Sequence, residues 1–115
     1  MDRMVKIDGI WPFQGRVVWL RPEQGGRTSG PPKSSPHNDY AHTAFVPPHT
    51  AKTGLASFGL RNFECGAWVS AAEGRWLIVD NDGDQLVEPG TVVVCTEGPR
   101  AVAYFHVERV VDVSG

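Results

Sequence analysis

Residues 91–113 read TVVVCTEGPRAVAYFHVERVVDV, and this stretch decides which kind of fold the chain can form. It holds two runs of β-branched and aromatic side chains, Thr91 to Thr96 and Ala101 to Val113, which are typical of β-strands. The dipeptide Gly98-Pro99 separates the runs and predicts a turn, because glycine supplies a positive φ and proline presets φ near its turn value. The stretch therefore predicts a β-hairpin.

Shorter runs of the same kind precede this hairpin: Arg16 to Leu20, Ala44 to Val46, Leu55 to Phe63, Ala67 to Val69 and Arg75 to Val79. Within Leu55 to Phe63, Ala56, Phe58 and Leu60 recur at every second residue, which is the pattern of a half-buried strand. The dipeptides Asp82-Gly83 and Pro89-Gly90 predict further hairpin turns.

The chain contains 13 glycines and 9 prolines, and they interrupt every window in which a helical apolar spacing begins. Many short strands with turns between them are typical of a barrel or a sandwich. We predict an all-β fold, an antiparallel Greek-key barrel of about six strands.

Length and composition set limits on the function. The chain has 115 residues, a hydrophobic fraction of 41% and a charged fraction of 21%, values typical of one globular domain. We therefore expect residues 1–115 to form a single domain. The 11 basic and 13 acidic residues give a net charge of -2, so no general field draws the protein to phosphates or anionic lipid. Any nucleic-acid binding must be local.

Location and cysteine chemistry follow from the same reading. No apolar run approaches the roughly 20 residues that span a bilayer, and the first residues lead into no signal-peptide core, so we expect a cytoplasmic protein without a membrane partner. Cys65 and Cys95 lie far apart in the sequence, and we expect both to be buried thiols. Most of the four tryptophans should lie in the core, with Trp11 outside the barrel pattern.

The loop after the first long strand carries a more specific pattern. Residues 21–28 read RPEQGGRT, and Tyr40 begins the next predicted strand. This arrangement resembles the third, C-terminal barrel domain of elongation factor Tu-like translation factors, where a strand leads into an acidic-Gly-Gly-Arg-Thr loop and a tyrosine starts the next strand. Paired glycines let the backbone turn tightly, and Arg27 offers a fixed fork of donors to a carboxylate or a phosphate. The alternative is an ordinary glycine loop with a solvated arginine.

A second stretch resembles the end of the same domain. It begins with Glu88-Pro89-Gly90, continues after six residues with the segment EGPRAV at 97–102, and ends in a strand that reaches Arg109-Val110. The two blocks bracket most of the region 17–110. Residues 63–86 show little detailed similarity to the family.

The chain also departs from the family in places that bear on function. Ala103 and Phe105 stand where the family has glycines that approach the phosphates of tRNA, and Ala41-His42 follow Tyr40 where the family has Arg-Pro. The phosphate loop G-x-x-x-x-G-K-[ST] is absent from the sequence, so we expect no nucleotide binding or GTP hydrolysis. Delivery of aminoacyl-tRNA is therefore not implied.

The resemblance implies a non-enzymatic binding module. In the family the glycine-arginine loop faces the GTPase domain, so a stand-alone copy would expose that surface to another protein partner, with a possible link to translation. The partner-binding residues predicted on this basis are Glu23, Gly25, Gly26, Arg27, Thr28, Tyr40, Glu97, Gly98 and Arg100. Arg27 is expected to be exposed in this loop.

Two alternatives remain open. The first is an RNA-binding barrel that uses arginines of the loops and strand ends: Arg16, Arg21, Arg27, Arg100 and Arg109. The second is a small hydrolase or transferase with a cleft built from loops, although no nucleophile motif such as G-x-S-x-G supports catalytic residues.

We predict no metal site and no cofactor. The acidic stretch 80–84 lacks the glycine and glutamate that an EF-hand loop needs at its sixth and twelfth positions. His37, His42 and His49 have no cysteine or carboxylate at metal-binding spacing.

Overall fold

The computed structural model describes residues 4–5, 11–32, 39–50, 54–64, 66–77, 86–98 and 100–111. Its elements are β1 (Met4–Val5), β2 (Phe13–Trp19), a short 3-10 helix (Pro22–Gln24), β3 (Asp39–Phe45), β4 (Ala56–Arg61), β5 (Val69–Trp76), β6 (Val92–Glu97) and β7 (Arg100–Val110). Within the described ranges, no helix has the length and apolar character needed to cross a membrane.

Strands β2 to β7 form a closed antiparallel barrel of six strands. Their order around the barrel is β3-β4-β5-β2-β7-β6, and β6 pairs back with β3 to close it. Strands β3, β4 and β5 form a meander. A long connection joins β2 to β3, and β2 lies on the far side of the meander, beside β5, which is a Greek-key arrangement. The two residues of β1 extend the edge of β3. The predicted all-β barrel is confirmed.

The antiparallel order brings six strand ends to one end of the barrel, which we call the loop end. Strands β2, β4 and β6 finish there and β3, β5 and β7 begin there, at Trp19, Arg61, Glu97, Asp39, Val69 and Arg100. The loop after β2 and the turn between β6 and β7 both lie at this end. Every residue of the predicted partner-binding set therefore belongs to one end of the molecule.

The barrel interior is filled by the alternating inward side chains that the sequence pattern predicts. Phe58 on β4 is fully buried, and its ring centroid lies 4.9 Å from that of Trp76 and 6.1 Å from those of Phe13 and Phe105. Cys95 is also fully buried, as expected, and burial raises the pKa of its thiol well above the ordinary value. Cys65 lies outside the described residues.

Two expectations about the strands were wrong. Val69 and Arg75, which the sequence pattern places in two separate runs, belong to one strand, β5, that continues through residues 70–74 between them. Residues 78–79 of the second run lie outside the described residues. Pairing with β2 over residues 69–74 and with β4 over residues 73–76 holds this segment extended despite its weak β-propensity. The turn at Pro89-Gly90 closes no hairpin, because β5 and β6 are not neighbours in the barrel. Asp82-Gly83 lies outside the described residues.

Trp11 lies outside the barrel, as predicted, but it is not exposed. Its ring packs on the outer face of β4 at Gly59, where an added Cβ would come within 2.9 Å of the indole. The guanidinium of Arg61 lies 4.5 Å from the ring centroid, and Trp11 is only 4% exposed. The residue therefore covers the barrel wall from outside.

The position of Phe58 predicts a large loss of stability when its ring is removed. Phe58→Ala should lower the free energy of unfolding by about 3–5 kcal/mol, since a buried ring is lost and neighbouring aromatic side chains cannot close the cavity. Urea denaturation would measure this change in the free energy of unfolding. Leu86→Ala is the matched control, because Leu86 is 80% exposed and its truncation should change stability by no more than about 0.5 kcal/mol. Equal effects of the two changes would contradict the described core.

Candidate functional site

Arg27 is the central residue of the loop end, and it is buried rather than exposed. Only 5% of the residue is accessible to solvent. Its Nη1 forms an ion pair with the Glu97 carboxylate at the end of β6, and its Nε donates to the carbonyl of Gly30 at 2.8 Å. Its Nη2 lies 3.3 Å from the Ser29 hydroxyl. The expectation of an exposed Arg27 is wrong, because the carboxylate of Glu97, far away in sequence, pairs with its charge inside the loop end.

The two glycines before Arg27 allow the loop to bring it inward. Gly25 adopts a φ of 90°, and its N–H donates to the carbonyl of Pro22 at 3.0 Å, which ends the 3-10 helix. Gly26 passes so close to the end of β2 that an added Cβ would lie 2.1 Å from the carbonyl oxygen of Leu20. The close backbone approach predicted for the glycine pair is thus present, but it is made to the chain itself.

Tyr40 joins Arg27 and Glu97 in one cluster. The Tyr40 hydroxyl donates to the same Glu97 oxygen, Oε2, that accepts from Arg27, and the Tyr40 side chain is almost completely buried. Burial, strengthened by the carboxylate, raises the pKa of Tyr40 far above its ordinary value. Burial also raises the pKa of Glu97, but the donors from Tyr40 and Arg27 and the nearby charge of Arg100 outweigh it, so the net shift is downward. Glu97 therefore remains charged and Tyr40 neutral.

A cleft of about 320 Å³ lies beside this cluster, at the seam where β3 and β6 meet. The two strands pair only from Thr43–Thr96 to Phe45–Val94, so β3 continues past the end of the pairing. The cleft lies at this point, and its walls are residues 40–43 and 96–98. The hydroxyls of Thr43 and Thr96 are hydrogen-bonded to each other at 2.5 Å across the seam.

His42 forms part of the cleft wall and is 6% exposed. Its ring stacks on Tyr40 with the centroids 4.9 Å apart. Its Nδ1 lies 2.8 Å from the Thr43 carbonyl, which can only accept, so the neutral ring carries its proton there. Burial lowers the pKa of His42 to about 4, and its Nε2 has no hydrogen-bond partner in the part of the chain that the structure describes.

The titratable groups at the cleft are not poised for proton transfer at neutral pH. A general acid or base works best with a pKa near the operating pH, and the pKa values of His42 and Tyr40 are both shifted away from neutrality. The Glu97 carboxylate is already engaged by Arg27 and Tyr40. Among the described residues, no group of three His, Cys, Asp or Glu side chains is arranged to hold a metal ion.

The other predicted partner-binding residues divide into two groups. Glu23, Gly25, Thr28, Gly98 and Arg100 are exposed at the loop end, and Arg100 lies opposite Glu97 in the β6–β7 pairing. Gly26 and Tyr40 are buried with Arg27. The structure therefore gathers the predicted residues, but it separates a buried anchor from an exposed surface.

Sequence reasoning missed the role of His42, Thr43 and Thr96. All three occur at alternating or adjacent positions in strands, and nothing in their spacing indicates a shared cleft. The polar character of Thr43 and Thr96 inside two apolar runs was the available signal.

No protein-family model, curated protein or solved structure matches the chain.

The burial of Arg27 predicts that its removal will destabilise the fold. Arg27→Ala removes the cation that pairs with the Glu97 carboxylate and leaves a cavity beside Tyr40, and we expect the unfolding free energy to fall by about 2–4 kcal/mol. Arg109→Ala is the matched control, because Arg109 is exposed on β7, and its removal should cost no more than about 0.5 kcal/mol. Thermal and urea unfolding measure both variants. An Arg27→Ala protein as stable as the control would refute the buried anchor.

His42 predicts a dependence of stability on pH. Its pKa falls from 6.5 to about 4 on folding, so between these values the unfolded chain binds a proton that the folded chain does not. Stability should therefore decrease as pH is lowered from 6.5 toward 4, by up to about 3 kcal/mol.

Urea midpoints measured at pH 7 and pH 5 test this dependence. His42→Gln should flatten the change between the two pH values, whereas His106→Gln, which alters an exposed residue, should leave it as in the wild type. An unaltered pH dependence in His42→Gln would show that other groups cause it.

Proposed function

We propose that this chain is a non-enzymatic binding module that recognises a protein partner through the exposed loop surface at the loop end of the barrel. The observation that carries this proposal is the buried Arg27 anchor beneath an exposed loop. Arg27 is 5% exposed, whereas the loop residues on either side of it, Glu23 to Gly25 and Thr28, are exposed. The anchor ties the loop to β3 and β6.

A loop held in this way is suited to binding. Residues that are already ordered lose less conformational entropy when a partner binds, and binding residues are commonly carried by loops on a rigid scaffold. The exposed side chains of Glu23 and Arg100 have no ion-pair partner among the described residues. Both charges are therefore available to another protein.

The resemblance to the translation-factor domain supports the same surface. In that family the glycine-arginine loop faces another protein domain, and here the corresponding loop is at the loop end. We propose a link to the translation machinery on this resemblance alone, since a barrel fold by itself does not imply a function.

The cleft beside His42 is the feature that favours a small hydrolase or transferase. A cleft with clustered titratable groups is what such an enzyme would need. The displaced pKa values of His42 and Tyr40 favour binding instead. For RNA binding, Arg27 is unavailable because its charge is buried against Glu97, which leaves four of the five proposed arginines.

Site-specific photocrosslinking tests the proposal. A photoreactive amino acid in place of Thr28 should give a discrete protein adduct in cells, resistant to nuclease and sensitive to protease. The same group in place of Leu86, which is exposed between β5 and β6 and away from the loop end, is the control and should not give that adduct.

A second change shows whether the charges of this surface contribute. Arg100→Ala should weaken capture of the adduct protein by about 2 kcal/mol, the scale of an arginine hot spot, with an unchanged melting temperature. Adducts that disappear on nuclease treatment, or equal labelling from both positions, would contradict a protein-binding loop end.

A further inference from the structure

The backbone of Ala41 on β3 points toward β6 and away from β4. Neighbouring residues of an antiparallel strand direct their N–H and C=O groups to opposite sides. The Leu77 N–H donates to the Ser57 carbonyl at 3.0 Å, so odd-numbered residues of β4 bond toward β5 and even-numbered ones toward β3. Phe58 pairs with His42, so the even-numbered residues of β3 bond to β4. The odd-numbered Ala41 therefore directs its backbone groups to the opposite side.

That side of β3 is paired before and after Ala41. Val5 of β1 pairs with Asp39, and Thr96 of β6 pairs with Thr43. Among the described residues, neither strand supplies a partner for Ala41 between these two pairs. Ala41 forms part of the wall of the cleft of about 320 Å³ at this point, which we call the seam cleft. One backbone donor and one backbone acceptor are therefore open toward the seam cleft.

Two side-chain acceptors belong to the same wall. Glu97 lines the seam cleft with a side chain that is 33% exposed, and its hydrogen bonds from Arg27 and Tyr40 both go to Oε2. Within the described ranges, Oε1 accepts no hydrogen bond. His42 is more than nine-tenths buried, and its Nε2 is an acceptor without a partner there, since the neutral ring carries its proton on Nδ1. A ligand that satisfies this wall must bring several donors.

The ionised group in the described wall of the seam cleft is the Glu97 carboxylate. Tyr40 and His42 are neutral at pH 7, because burial raises the pKa of the phenol and lowers that of the imidazole. Arg27 is paired with Glu97, and Arg100 lies opposite Glu97 in the β6–β7 pairing, but neither arginine lines the cleft. A cationic donor is therefore favoured here over a carboxylate, and Arg100 weakens that preference without reversing it.

The strand pairs on either side limit the length of a ligand. From Asp39 to Thr43, β3 advances by four residues, which is about 13 Å at the rise of an antiparallel strand. Strands β1 and β6 occupy the two ends of this span. An extended segment has room for about two residues here, and it must end inside the cleft because running through would displace β1 or β6.

We propose that the seam cleft binds the free amino end of a short peptide. The first residue of the peptide adds to β3 opposite Ala41, and its carbonyl accepts from the Ala41 N–H. Its α-ammonium donates to the Ala41 carbonyl and to Glu97 Oε1, and Nε2 of His42 is the remaining acceptor of the wall. A carboxyl end would meet Glu97 with like charge.

This site borders the loop end but is built differently. It uses the backbone of β3 and the end of β6, whereas the proposed protein-binding surface uses the exposed loop residues Glu23 and Thr28 together with Arg100. The peptide site therefore does not depend on the function proposed for the loop surface.

Titration of the isotope-labelled full chain with trialanine amide at pH 7, followed by NMR, tests the proposal. This probe has a free ammonium and no carboxylate. It should shift the amide signals of Ala41, Thr43 and Gly98 and leave that of His106, on the outer face of β7, in place. N-acetyl-trialanine amide is the matched ligand, and its Kd should be at least about tenfold higher, because acetylation removes the charge and two donors.

Two variants test the wall of the cleft. Ala41→Pro deletes the N–H that faces the cleft without removing a β3–β4 hydrogen bond, and proline is tolerated at a strand edge. His42→Phe keeps a ring against Tyr40 but removes the Nε2 acceptor. Each should raise the Kd of trialanine amide about fivefold or more. Leu86→Ser, which alters an exposed residue elsewhere, should leave the Kd unchanged. His42→Phe and the acetylated probe decide the question if Ala41→Pro does not fold.

Arg100→Ala separates this site from the loop surface. The loss of a cation near Glu97 should lower the Kd of trialanine amide, whereas the same change should weaken capture of the loop-end partner. The proposal is overturned if trialanine amide shifts no signal in residues 41–43, if the acetylated probe binds as tightly, or if the folded cleft variants bind it normally. Failure of crosslinking at Thr28 would count against the loop surface only.

Discussion

The ion pair between Arg27 and Glu97 is the contact on which the arrangement of the loop end depends. A guanidinium that leaves water must find acceptors for its donors, and here a carboxylate, a backbone carbonyl and hydroxyl groups supply them. The pair connects the loop after β2 to the end of β6, and Tyr40 adds β3 through the same carboxylate. One cluster thus fixes three parts of the chain at the point where the barrel closes.

Much of the barrel could be predicted from local sequence, because the signals for it are local. The alternation in Leu55–Phe63 placed Phe58 and Leu60 in the core, and Gly98-Pro99 marked the turn between β6 and β7. The continuity of β5 could not be predicted, since residues 70–74 are held extended by pairing with β2, and with β4 only from residue 73 onward. Nor could the burial of Arg27, whose partner lies 70 residues away and is brought near only by the closed sheet.

The external face of the sheet illustrates the same limit. Val18 and Tyr104 each look like ordinary outward positions of separate strands, and a single exposed apolar residue carries no information. Their alignment depends on the register of β2 with β7, which includes a bulge between Gln14 and Gly15. A shift of one residue would turn Tyr104 into the core and separate it from Val18. Whether outward apolar side chains lie next to one another therefore depends on the strand pairing and cannot be obtained from composition.

The type of contact that closes the loop end also bears on what that end is for. Well-packed apolar side chains could close a barrel end with equal or greater stability, since a buried ion pair recovers little more than its desolvation cost. What Arg27 adds is a fixed orientation of the loop, because its planar fork of donors can bond to Glu97 and Gly30 in only a narrow range of geometries. An apolar plug would hold the loop down without fixing where Glu23 and Thr28 project. The ion pair therefore contributes a fixed orientation of these loop residues, and this is the property that the proposed binding role would require.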